Sequence, residues 1–113
     1  MTDQCLFCRI VSGEIPADIV SASSTTVAFR DIEPQAPVHV LVISREHHRD
    51  LGAVSKTDPS LVSDLVATAQ AVAAQEGLED YRLVFNSGAQ AGQSVFHVHG
   101  HVLGGRPMGW PPG

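Results

Sequence analysis

The stretch that decides the fold is VFHVHGHVL, residues 95–103, in which three histidines alternate with mostly apolar residues. Strict alternation is typical of a β-strand whose two faces differ. We therefore predict a strand over 95–103, with His97, His99 and His101 on one face and apolar side chains buried on the other. His97 and His101 would then lie about 13 Å apart, so one metal ion could not bind all three rings.

The alternation alone does not determine the role of the three histidines. A single histidine on a strand is commonly a core or surface residue, but three in register favour a chemical role. Two neighbouring rings can flank a phosphorus atom, or one can serve a metal and another a substrate. The preceding loop, residues 86–94, adds amide and hydroxyl side chains and glycine-flanked backbone donors. Such donors suit a phosphate or an oxyanion, although similar runs also form ordinary turns.

The residues around this stretch predict an α+β fold. Runs rich in Val, Ile and Thr predict strands over 17–21, 25–29, 38–43 and 81–85. The run 38–43 is apolar almost throughout, so we expect a central strand buried on both faces. A main helix begins at Asp58 and Pro59 and ends near Gly77, and a short helix covers 5–11. We predict one domain over 1–113: an antiparallel sheet, with the main helix on one face and an irregular tail over 104–113.

Composition excludes several classes of protein. The chain has 113 residues and a net charge of −5, with one lysine and six scattered arginines. Nucleic-acid grooves and anionic membrane surfaces require clustered basic residues, so neither kind of partner is expected. The longest weakly charged stretch, 65–75, is too short to cross a bilayer, and the first residues do not resemble a signal peptide. These features favour a cytoplasmic location.

The two cysteines, Cys5 and Cys8, are separated by two residues near the start of the chain. In a reducing compartment this spacing favours a metal clip or a redox pair over a structural disulfide. A redox pair of the thioredoxin type follows a strand, whereas this pair opens the chain. Two small buried residues are the remaining alternative. As metal ligands, the pair needs two further ligands to complete a tetrahedral site.

Three segments resemble the histidine-triad (HIT) proteins, and together they cover most of the chain. Residues 92–103, GQSVFHVHGHVL, are similar to the family signature. Residues 31–39, DIEPQAPVH, resemble its first nucleotide-contact segment, and residues 103–113, LGGRPMGWPPG, resemble the tail of its Hint branch. The resemblance implies an HIT-like homodimer. Each protomer would bind a purine nucleoside monophosphate, most often AMP, and hydrolyse the P–N bond of a nucleoside 5′-phosphoramidate.

The resemblance also implies a nucleophile and its helpers. The middle histidine, His99, attacks the α-phosphorus to give a nucleotidyl-imidazole intermediate that water then hydrolyses. A neutral imidazole is a competent nucleophile near pH 7, provided that an acceptor holds its other nitrogen. A backbone carbonyl of the motif is the implied acceptor, with His39 nearby. His97 and Ser94 complete the catalytic set, together with His101.

Further positions match the nucleotide contacts of the family. His101, Gln93 and Ser94 match groups that bond the phosphate oxygens and the leaving group, and Asn86 lies near the ribose and phosphate. Asp31 matches the acid that binds the ribose. Ile32 and Phe7 match the base pocket, although Phe7 would fit the core equally well.

A structural zinc ion is the implied cofactor. Its ligands would be Cys5, Cys8, His47 and His97, and His48 is an alternative to its neighbour. Four protein ligands leave no open position, which is typical of a structural ion.

Three functions remain compatible with these residues. A nucleoside phosphoramidase is favoured by the WPPG tail, and we expect Trp110 to pack against a partner protomer. A dinucleoside polyphosphate hydrolase or nucleotidyl transferase would use the same nucleophile. A zinc-stabilised nucleotide-binding adaptor would turn over no substrate. The chain combines the cysteine pair with a Hint-like tail and so mixes the patterns of two branches of the family. Separately, Gly100 leaves space on the face of the strand opposite the histidines.

Overall fold

The central strand of the sheet is apolar almost throughout, at residues 38–43. The computed structural model describes residues 4–113. Its elements are α1 (Leu6–Val11), β1 (Ile19–Ala22), β2 (Thr26–Arg30), β3 (Val38–Ser44), α2 (Leu51–Thr57), α3 (Pro59–Gln75), β4 (Arg82–Phe85) and β5 (His99–Gly104), with a 3₁₀ turn at Ala89–Ala91. The sheet is antiparallel, in the order β1-β2-β3-β5-β4. The predicted α+β class and central strand are confirmed.

Each face of the sheet has its own apolar cluster. One face packs against α3 through Leu65, Ala69 and Val72, and Val40 and Val42 of β3 point toward it. The other face carries Leu41 and Ile43 of β3 beside Val27 and Phe29 of β2, and Phe7 of α1 covers it. Because β3 is covered on both sides, its residues do not alternate between apolar and polar. The histidine-bearing strand β5 pairs with β3 and therefore lies inside the sheet.

The predicted strand over 95–103 is wrong at its beginning. β5 starts at His99, whereas residues 95–97 form a bend. The Val98 N–H donates to the His48 carbonyl at 2.7 Å, outside the β5 ladder. His97 therefore does not share a strand face with the other two histidines. The strand also runs one residue further than expected, so the irregular tail begins at Gly105.

A second difference is helix α2, which the sequence analysis missed. Its seven residues include Gly52, Ser55 and Thr57, which are poor helix formers. The Asp50 side chain caps the helix by accepting from the Ala53 N–H at 2.9 Å. Val54, within the helix, is buried in the core. The packing of one apolar residue, together with the cap, thus outweighs the weak helix propensity of this segment.

The space beside Gly100 is filled by its neighbours. A Cβ built on Gly100 would lie 2.7 Å from Cζ of Phe85 and 3.1 Å from Cδ1 of Leu83. The glycine therefore lets β4 side chains pack against the sheet on the face opposite the histidine rings. In the part of the chain that the structure describes, no helix is both long enough and apolar enough to span a bilayer.

Candidate active site and metal site

Strand pairing sets two histidine rings side by side. On β5, His101 lies opposite Leu41 and His99 lies opposite Ile43, so both rings share the face covered by α1. Their ring centroids are 5.0 Å apart. His39 on β3 continues the row, with its ring centroid 5.2 Å from that of His101. We call His39, His101 and His99 the imidazole chain.

The ring of His99 is held in a single orientation. Its Nδ1 lies 2.8 Å from the carbonyl oxygen of His97, so Nδ1 carries the proton and donates it to that carbonyl. The lone pair is then on Nε2. The edge-on ring of Phe7 contacts the imidazole at a centroid distance of 5.0 Å, and His99 is 5% exposed. Burial lowers the pKa of His99, which keeps the ring neutral at pH 7.

Backbone and side-chain partners also fix the proton positions on the other two rings. The backbone N–H of Gln35 donates to Nδ1 of His39 at 3.0 Å, so His39 carries its proton on Nε2. That nitrogen lies 2.9 Å from Nδ1 of His101 and 3.4 Å from Oδ2 of Asp31. His101 Nδ1 therefore accepts, and its own proton lies on Nε2. Desolvation, together with the neighbouring His99 and His39 rings, lowers the pKa of His101 to about 4.

The buried side chain of Gln93 holds the loop that precedes the histidines through hydrogen bonds to backbone groups. This side chain is 3% exposed. Its Oε1 accepts from the Gly88 N–H at 2.8 Å, and its Nε2 donates to the carbonyls of Arg49 and Val95. These three contacts with backbone groups hold the loop in place beside the histidines. Asn86 lies against Gly92, within the same loop.

A cavity of about 640 Å³ opens on the histidine-bearing side of the sheet. Most of its lining is apolar, and polar or charged groups come from Asp18, Arg30, Asp31, Glu33 and Ser94. Of the predicted catalytic residues, Ser94 lines the cavity and the histidines do not. Phe7 is 4% exposed and lines the cavity, so it belongs both to the core and to this wall. Ile32 lies at the opening and is 96% exposed. A larger cleft, of about 800 Å³, lies between 77–82 and 103–108 and is lined by none of the predicted catalytic residues.

The second site is the thiol cluster, which we define as Cys5, Cys8, His47 and His97. One ligand atom from each residue lies within 4.8 Å of the others. Nδ1 of His97 is 3.5 Å from each of the two sulfur atoms, and Nδ1 of His47 is 3.4 Å from Sγ of Cys8. The His48 ring instead lies 3.2 Å from a Glu46 carboxylate oxygen. The geometry thus brings His47, not His48, to the cysteines.

These distances fit a tetrahedral zinc ion. Ordinary Zn–S and Zn–N bonds place sulfur and nitrogen ligands about 3.5 Å apart. Nε2 of His97 donates to the Ser44 carbonyl at 2.7 Å, so the lone pair on Nδ1 faces the sulfur atoms. Burial and the neighbouring Cys5 thiol raise the pKa of Cys8 to about 11, so metal uptake would displace a proton. The residues could therefore hold a metal ion.

Sequence reasoning missed two residues that act through their backbone. The Ser44 carbonyl orients His97, and the Gln35 N–H orients His39. Every residue except proline has both backbone groups, so residue type carries no signal for either contact. Only the register of β3 and the path of the loop over 31–37 bring them to the rings.

Known proteins are similar to this chain in sequence and in fold. A model of the HIT domain family matches residues 12–108. The crystal structure of an HIT family hydrolase from Legionella pneumophila has 47% identity and a TM-score of 0.93, over 97% of this chain and 100% of that one. The adenylylsulfatase HINT1 of Arabidopsis thaliana is 45% identical over 96% of this chain and 76% of its own.

A zinc-bound histidine triad family protein from Mycobacterium smegmatis has 34% identity and a TM-score of 0.82. It matches over 94% of this chain and 78% of its own. The family model spans well over half of the sequence, and relatives match along nearly all of it. The imidazole chain, the cavity beside it and these relatives lead to one conclusion: the chain is a hydrolase that belongs to the HIT domain family.

Proposed function

We propose that this hydrolase cleaves the P–N bond of purine nucleoside 5′-phosphoramidates through a nucleotidyl intermediate on His99. The observation that carries the proposal is the ring of His99, whose Nδ1–H is held by the His97 carbonyl. An imidazole held in this way presents an unprotonated Nε2 for attack on phosphorus. The apolar cavity beside it, with Asp31 in its wall, suits a base and a ribose.

The proposed reaction has two displacements at the α-phosphorus. In the first, Nε2 of His99 forms a bond to phosphorus while the P–N bond breaks, and the departing nitrogen takes up one proton from solvent. His101 donates its Nε2–H as a hydrogen bond to the phosphate or the leaving nitrogen, and we assign Ser94 and Asn86 the same role. In the second, water replaces His99 on phosphorus, which releases the nucleoside monophosphate and one proton. Dividing the transfer into two steps lowers each barrier.

Adenosine 5′-phosphosulfate is the second candidate substrate. The Arabidopsis relative at 45% identity is an adenylylsulfatase. The same attack by His99 would break the bond between phosphorus and the bridging oxygen, and sulfate would leave without taking up a proton. A phosphosulfate anhydride and a phosphoramidate therefore differ in their need for a proton at the leaving atom.

We propose zinc as the structural cofactor, held by the thiol cluster. When bound, the ion would link α1 to the segment that precedes β5, because Cys5 is the N-cap of α1, Cys8 lies within α1 and His97 comes shortly before β5. The zinc-bound relative from Mycobacterium smegmatis supports this choice of metal.

We also propose that the chain forms a homodimer through the β4 edge of the sheet. β4 is an edge strand, and its four residues are half-buried. Trp110 in the adjoining tail is 83% exposed, which favours burial against a second protomer. Sedimentation at working concentration tests this arrangement, and a monomer would contradict it.

A substrate panel tests the proposed reaction. The purified protein is incubated with adenosine 5′-phosphoramidate, adenosine 5′-phosphosulfate, a diadenosine polyphosphate and a nucleotide sugar. We expect the phosphoramidate to have the highest kcat/KM, and rapid quench in alkaline denaturant to yield a protein heavier by one AMP residue. Preferred turnover of another substrate would reassign the reaction, and no turnover at all would favour an adaptor.

A further inference from the structure

The exposed arginine that follows β5 contacts the loop before β3. Nε and Nη2 of Arg106 both donate to the Gln35 carbonyl, at 3.1 and 2.9 Å, and Nη1 donates to the Pro107 carbonyl at 3.0 Å. A long, exposed side chain loses rotamer freedom when it is held by three such bonds. The contact therefore fixes both the guanidinium and the position of Gln35.

The glycine before this arginine lets the two segments approach closely. Gly105 has φ +91°, and a Cβ placed on it would lie 2.9 Å from Cβ of Pro37. Any other residue would be strained in this backbone conformation and would push the loop away. The tail and the loop over 31–37 are thus packed against each other at Pro37 and bonded at Gln35.

Gln35 is also the residue whose N–H sets the proton position on His39. Its N–H donates to Nδ1 of His39 at 3.0 Å, which leaves the His39 proton on Nε2, 2.9 Å from Nδ1 of His101. If Gln35 moved away, Nδ1 of His39 would lose its donor and the ring could hold its proton on either nitrogen. His101 would then lose the donor that keeps its own proton on Nε2.

We propose that Arg106 is a positioning residue that holds Gln35 in place and thereby keeps the protons of His39 and His101 on their Nε2 atoms. It acts through the loop and touches neither the reacting atoms nor the imidazole rings. This inference rests on the proposed function only for its kinetic consequence. Its structural consequence, the tautomer of each ring, can be measured without any substrate.

The test compares Arg106→Ala with a matched variant, Arg45→Ala. Arg45 is another exposed arginine whose Nε donates to a backbone carbonyl, that of Ser23, away from the imidazole chain. Long-range ¹H–¹⁵N spectra report which nitrogen of each imidazole is protonated. We expect Nε2–H tautomers of His39 and His101 in the parent protein and in Arg45→Ala, and mixed tautomers in Arg106→Ala.

Kinetics give a second readout on adenosine 5′-phosphoramidate. We expect Arg106→Ala to lower kcat about tenfold with KM changed by less than about twofold, because nucleotide contacts remain while the donor to the transition state is misplaced. Arg106→Lys, which keeps one donor for the Gln35 carbonyl, should recover part of the loss and serves if the alanine variant does not fold. Unchanged tautomers in a folded Arg106 variant would overturn the proposal, even if the parent protein prefers a different substrate.

Discussion

The thiol cluster and the imidazole chain both contain histidine rings, but the rings of His97 and His99 are held through different nitrogen atoms. His97 and His99 are only two residues apart, yet a carbonyl contacts Nε2 of His97 and a different carbonyl contacts Nδ1 of His99. The free lone pair is therefore on Nδ1 in His97, where it faces two sulfur atoms, and on Nε2 in His99. The difference teaches that the backbone partner of the second nitrogen decides whether a histidine is suited to hold a metal or to attack phosphorus.

The largest expected effect comes from removing the proposed nucleophile. We expect His99→Ala to lower kcat by about a thousandfold or more, since no other free imidazole lone pair faces the phosphorus in the proposed complex. Nucleotide affinity should stay within about tenfold, because the cavity is unchanged. Single-turnover kinetics and calorimetric titration with AMP measure the two quantities. A variant with near-normal rates would refute the role of His99.

Breaking the thiol cluster should cost stability while the nucleophile remains. We expect Cys8→Ser to remove bound zinc and to lower the free energy of unfolding by about 3 kcal/mol, which corresponds to a fall in Tm of about 10 °C or more. Metal analysis and thermal unfolding measure this. A chelator should lower the Tm of the parent protein but not that of the variant. Equal responses of both proteins, or a parent protein without metal, would contradict the assignment.

Acid should lower the free energy of unfolding, because His101 of the imidazole chain is partly buried in its neutral form. The folded pKa of His101, about 4, lies below its ordinary value of 6.5, so the unfolded chain binds a proton first as pH falls. Its contribution to stability is complete above pH 6.5 and is lost between 6.5 and 4. Since the ring is partly exposed, we expect a loss of about 2 kcal/mol.

The matched variant for this acid effect is His101→Asn, which cannot titrate. Nearby His99 and His39 oppose protonation of His101, whereas Asp31 favours it, and all three remain in the variant. Urea unfolding across the pH range should show a steeper acid loss in the parent protein than in His101→Asn. Parallel curves would show that His101 does not contribute.

The smallest effect concerns the opposite face of β5. We expect Gly100→Ala to lower the free energy of unfolding by about 1–2 kcal/mol, because the new methyl group would meet the Phe85 ring at 2.7 Å. The control is Gly52→Ala on α2, where the nearest atom is 3.5 Å away and alanine favours helix. We expect that control to be neutral or stabilising in chemical denaturation. A Gly100→Ala protein as stable as the parent would show that Phe85 moves freely.

The candidate site could be predicted in part from the sequence. Alternation placed His99 and His101 on one face of a strand, which the structure confirms. It failed for His97, because a bend at 95–97 turns that ring toward the cysteines. Local alternation reports side-chain periodicity only where the strand continues, and Val98 bonds to His48 instead of continuing the ladder.

The sequence by itself determined the α+β class, the central buried strand and the residue types of both sites, because periodicity and motif spacing are local properties of the chain. The acceptor for His99 is a carbonyl of the same motif, that of His97, as the resemblance implies. The tertiary structure decided which nitrogen is free in His97 and His39, because that choice depends on the distant carbonyl of Ser44 and on the N–H of Gln35. Backbone groups are the same in nearly every residue, so only folding, which sets their distances to the rings, can give each histidine its chemistry.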